Sequence, residues 1–107
     1  MTMTLPATFL SPRAGLLLTQ VMETADFDAA LWKLLTDYLD LKTKTLRAEI
    51  QSFELKWGMS FADFSAHMAG NTLPVDAYSY EVEQDFWQWE KAETLLKHFE
   101  GLQAKWT

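Results

Sequence analysis

Residues 46–64 read LRAEIQSFELKWGMSFADF. Leu46, Ile50, Phe53 and Trp57 recur at steps of four, three and four, which places them on one face of an α-helix. Leu39 and Thr43 carry the same heptad-like seam towards the N-terminus, with threonine in an otherwise apolar slot. Gly58 should stop that helix, because glycine accepts the left-handed backbone that commonly ends one. Ser60 follows at once, with Asp63 three residues on, a capping box with a shorter acid. Phe61 and Phe64 then restart an apolar face. One stretch therefore spells a helix, a corner and a second helix.

Working outward, Phe27, Leu31, Leu34, Leu35 and Tyr38 extend the first long helix back to a cap at Thr24 or Asp26. Glu23, Asp26 and Asp28 lie near its positive end. Lys42-Thr43-Lys44-Thr45 is weak helix material, and a bend is expected there. Downstream, Met68 completes the face of the short helix, Gly70-Asn71 ends it and Pro74 prevents its return. Ser79 caps a third helix with Glu81, Glu83 and Asp85 in its first turns. Val82, Phe86, Trp89, Leu96 and Phe99 form its stripe, Leu95, Leu102 and Trp106 widen it, and it runs to Gly101 or beyond. No strand signal, repeat or low-complexity tract competes with this reading.

Charge sets the arrangement. The first long helix is acidic early (Glu23, Asp26, Asp28, Asp37, Asp40) and basic later (Lys42, Lys44, Arg47, Lys56). The third runs from Glu81, Glu83 and Asp85 to Lys91, Lys97 and Lys105. Laid antiparallel, each acidic end meets a basic one. Exposed pairs contribute about 0.2–1 kcal/mol each, so they select an orientation rather than hold the fold. The expected fold is all-α: an antiparallel helical hairpin of two long helices with a short corner helix, residues 24–107 forming a single helical domain. Its core is thin, and the wide stripe of the third helix calls for a homodimer or another partner to cover the remainder.

Residues 1–23 read differently. They hold Pro6, Pro12 and Gly15, and Arg13 is their one charged residue before Glu23. The stretch makes a poor secretory signal, since Leu16-Leu17-Leu18 gives way to Thr19 and Gln20. Ser11-Pro12 suits the start of a short helix, while Leu16 to Met22 suits a strand. We expect an N-terminal arm, either partly ordered or ordered by a partner. Met22 stands as an alternative start.

Composition excludes several chemistries. The chain has 107 residues, enough for one domain, with no cysteine and two histidines. Disulfides, thiolate metal sites, a cysteine nucleophile and a three-histidine zinc site are out of reach. A net charge of −6 argues against direct nucleic-acid binding, and no apolar run approaches the roughly 20 residues of a membrane span. His67, four residues after Asp63, lacks an evident third ligand, and His98 lies off the apolar stripe. The run Glu81, Glu83, Asp85, Glu90, Glu93 has no ligand-loop spacing. Among the serines there is no nucleophile elbow, and the four glycines build no phosphate loop. We therefore expect a protein without catalytic residues, cofactor or metal.

The tryptophans say more. There are five. Trp89 sits in the third helix's stripe, but Trp87 lies far round the helix, beside Glu83, Glu90 and Lys91. A large aromatic off the buried face is covered either by its own chain, here the loop at 71–78, or by another molecule. Trp32 lies on the edge of its own stripe. The candidate partner-binding residues are Trp32, Tyr78, Tyr80, Glu81, Glu83, Asp85 and Trp87.

Glu54-Leu55-Lys56-Trp57-Gly58-Met59-Ser60, followed by Phe61 and Phe64, resembles a recurring E-x-[KR]-[YW]-G-M-S-x-x-x-F segment. Gly70, then Ser79-Tyr80-Glu81-Val82-Glu83-x-Asp85, then Trp89-Glu90, resembles its usual sequel. Together they are similar to small helical proteins of prokaryotes, notably cyanobacteria, that form the antitoxin-like half of two-gene toxin–antitoxin modules. The similarity spans residues 27 to 102, and the family often has tyrosine where this chain has Trp57. It implies a non-enzymatic, cytoplasmic protein that occludes a small toxin, often one acting on RNA. A homo-oligomeric helical scaffold or adaptor is the alternative.

Overall fold

A computed structural model describes residues 11–106. The fold is all-α, with α1 (Pro12–Val21), α2 (Phe27–Trp57), α3 (Phe61–Ala69) and α4 (Tyr80–Trp106) in chain order. The chain forms two compact units that divide between Tyr38 and Leu39, inside α2 rather than at residue 23.

In the first unit, Ser11 caps α1 through its hydroxyl, which accepts from the Ala14 N–H at 3.1 Å, and Pro12 occupies the first turn. The helical reading of this segment holds, and the strand reading is corrected. Gly15 is there for space: a Cβ would meet the Phe27 ring at 3.0 Å, so its absence lets α1 approach the start of α2. Among the described residues of the unit, Leu18 and Ala30 are the buried apolar ones. Glu23 ends the α1 turn with a φ of 56°. Asp26, the better of the two foreseen caps, receives the Ala29 N–H at 3.2 Å, while Thr24 bonds Asp26 itself. The opening residues of the foreseen arm, 1–10, lie outside the described residues.

The second unit is the antiparallel hairpin, with α3 at its corner. Pairings from end to end set the register of α2 on α4. Asp40 accepts from Gln103 at 2.9 Å, Arg47 meets Glu100 at 2.7 Å, Phe53 stacks on Trp89 at 5.5 Å, and Lys56 meets Glu81 at 2.9 Å. The opposed charge gradients of the two helices thus meet as their sequences require. Leu46, Ile50, Phe53, Phe64, Val82, Trp89 and Ala92 form the core. Trp89 is its hub, with the Phe61 and Phe64 rings 5.4 and 5.2 Å from its own. Thr43 tolerates its buried seam slot because its hydroxyl donates to the Asp40 carbonyl at 3.0 Å. No break in the helix appears at Lys42–Thr45. The helix is continuous there, with buried Thr43 and Leu46 holding the turn despite weak local propensity.

Gly58 leaves α2 at a φ of 68°, and Ser60 accepts the Asp63 N–H at 3.2 Å to begin α3. At the far end Gly70 stays in the right-handed region, and Asn71 takes the left-handed turn at a φ of 54°. Asparagine tolerates that conformation better than most residues. Ser79 accepts the Val82 N–H at 3.3 Å and opens α4.

Candidate functional site

The first turns of α4 and the loop before it carry most of the foreseen surface. Asp76 orders the approach by accepting the Tyr78 N–H at 2.9 Å. Ala77 tucks inward, which turns Tyr78 outward. Tyr78 is 80% exposed, Tyr80 78% and Trp87 62%. Helical spacing puts Tyr80, Glu83 and Trp87 on one face, at steps of three and four. The loop at 71–78 does not cover Trp87, whose ring meets only the edge of Phe86, at 5.6 Å among the resolved ring contacts. Glu83 is exposed and forms no ion pair with a described residue. Beside this face a shallow groove of about 340 Å³ runs between α3 and α4, lined by Ser65, Met68, Ala69, Ala77, Tyr78 and Phe86.

Two of the foreseen residues are placed otherwise. Asp85 is a correction: it is only 9% exposed and belongs to the hairpin's interior. Its carboxylate accepts the Trp57 indole N–H at 2.9 Å and pairs with Lys56 at 2.6 Å. The physical reason is its seam position, since Val82, Asp85, Trp89 and Ala92 follow one another at steps of three, four and three on the buried face. Trp32, half exposed, lies in the first unit beside Leu31 and Leu35, whereas the α4 residues belong to the second.

Glu81 stands between the two roles. It pairs with Lys56 yet remains open to solvent. The Asp85 carboxylate first, and Glu81 second, raise the Lys56 pKa above its ordinary 10.5 by hydrogen bonding the ammonium. Lys56 also lies 5.5 Å from the Trp57 ring. The cluster Lys56–Trp57–Glu81–Asp85 thus ties the end of α2 to the start of α4 and fixes the base of the aromatic face.

Sequence reasoning missed two features. One is Asp85 as an internal acceptor, for which the sequence offered only its three- and four-residue spacing from Val82 and Trp89. The other is a hollow whose lining brings together Glu54, Glu90 and Glu93 with Lys97 and Phe61. Among the described residues no group of three His, Cys, Asp or Glu side chains is placed to hold a metal ion. His67 Nδ1 lies 2.6 Å from the Thr72 hydroxyl at the end of α3, and His98 packs edge-on against Phe99. No described helix is long and apolar enough to cross a membrane. Comparison with protein-family models, with curated proteins and with solved structures finds no match.

Proposed function

We propose that this chain is a non-enzymatic, antitoxin-like protein-binding module that occludes a small basic toxin in the cytoplasm. One observation carries the reading. Tyr80 and Trp87 stand well exposed on the same helical face as Glu83, which forms no ion pair with a described residue, and Tyr78 is exposed just before that helix, in a chain of net charge −6. Exposed aromatics next to a carboxylate are suited to arginine, which stacks on a ring while its guanidinium meets the acid. Aromatic anchors of this kind dominate interface energetics, and a negative surface steers a basic protein towards it while repelling nucleic acid. Glu81 adds charge at the rim. The resemblance of the Glu54–Ser60 and Ser79–Asp85 segments to antitoxin-like proteins supports the same reading.

The test is affinity capture with the tagged chain from its native cell, followed by mass measurement of what is retained. A stoichiometric small basic protein, released by rising salt, is the expected result. Recovery of the chain alone, whatever its oligomeric state, would favour the scaffold reading instead.

A further inference from the structure

The first unit carries a second surface of opposite character. The outer side of α1 exposes Leu16, Leu17 and Val21, each 58–60% accessible. Arg13 is the single charge on that helix, and it makes no ion pair among the described residues. On the start of α2, Leu31, Trp32 and Leu35 line a hollow of about 350 Å³ whose rim is Asp26 and Asp28. One patch is therefore apolar with a cation at its edge, and the other is apolar with two anions at its edge. Both belong to one compact unit, among whose described residues only Leu18 and Ala30 are buried apolar side chains.

A chain of net charge −6 repels its own copies unless the surfaces that meet are neutral or complementary. A two-fold dimer needs patch i to meet patch j and patch j to meet patch i, so complementary patches on one unit satisfy both contacts at once. We propose that the occupant of this surface is a second copy of the chain. The outer face of α1 in each protomer, led by Leu16 and Leu17, lies in the Leu31–Trp32–Leu35 hollow of the other, and Arg13 pairs with Asp26 and Asp28 across the two-fold. This gives Trp32 its role, which is self-association.

Sedimentation equilibrium of the full chain is the test. Wild type should run near twice the 12.3 kDa chain mass. Leu17→Glu should halve that mass while the helical circular dichroism stays unchanged, since Leu17 is exposed within its own chain. Arg13→Asp and Asp28→Arg should each weaken the dimer by tenfold or more, and the two together should restore it. A wild type that stays monomeric overturns the proposal, including one that is monomeric yet sediments with phosphatidylcholine vesicles. So does a dimer indifferent to Leu17→Glu, or a combined charge exchange that fails to restore association.

Discussion

Replacing Asp85 with alanine removes two contacts of unequal worth. The Trp57 indole N–H, partly buried, donates to the carboxylate at 2.9 Å, and a hydrogen bond to a charged group of this kind is worth about 1.5–3 kcal/mol. The Lys56 ammonium sits at 2.6 Å, but its side chain is 43% exposed and can return to water, so that pair adds about 0.2–1 kcal/mol. Asp85→Ala should therefore cost about 2–4 kcal/mol in total. Asp85→Asn keeps an oxygen for the indole and loses mainly the Lys56 attraction, so it should cost about 1 kcal/mol. Urea unfolding followed by tryptophan fluorescence, which reports Trp57 and Trp89 in the hairpin core, separates the two variants by their midpoints. Equal losses for alanine and asparagine would refute the primacy of the indole bond and make Asp85 chiefly a counter-ion. A loss below about 0.5 kcal/mol for alanine would refute the interior role altogether.

Two glycines should respond in opposite directions. Gly58→Ala places a side chain at a φ of 68° and should cost about 1–2 kcal/mol in thermal or urea unfolding. Gly101→Ala, inside α4 with open space around the new methyl, should stabilise by about 0.5–1 kcal/mol in the same assay. The raised pKa of Lys56 has a definite sign. Its folded value exceeds the ordinary 10.5, so its contribution is complete below that pH and is lost as pH climbs through the folded value. Comparing wild type with Lys56→Met between neutral and strongly alkaline pH should show the stability difference shrinking only at the alkaline end. Trp87→Ala should leave the melting temperature within about 2 °C of wild type, since the ring is mostly exposed.

The hairpin was legible because its signals agreed at every level. The Leu46–Trp57 seam, the Gly58 stop, the Ser60 and Ser79 caps and the opposed charge gradients all point to one packing, and each appears as read. Helical projection put Trp87 off the buried face but left open whether the loop at 71–78 covers it, and its exposure is a finding of the structure. What escaped was tertiary. The α1 segment is short and apolar, so periodicity could not separate helix from strand, and the purpose of Gly15 appears only once Phe27 is beside it. Asp85 reads as a surface charge in a list of acids, and becomes a core acceptor only when α2 delivers the Trp57 indole to it. Helix persists through Lys42–Thr45 despite weak local propensity, because Thr43 and Leu46 are buried there. The division of α2 between two units leaves no mark in the sequence pattern.

The decisive measurement is a parallel affinity capture from the native cell with wild type, Trp87→Ala and Glu83→Lys, all shown to be folded by circular dichroism. Wild type should retain a small basic protein in stoichiometric amount, and both variants should lose it. Retention of the same protein by both variants, or capture of nothing by wild type, would contradict partner binding through the Tyr78–Tyr80–Glu83–Trp87 face.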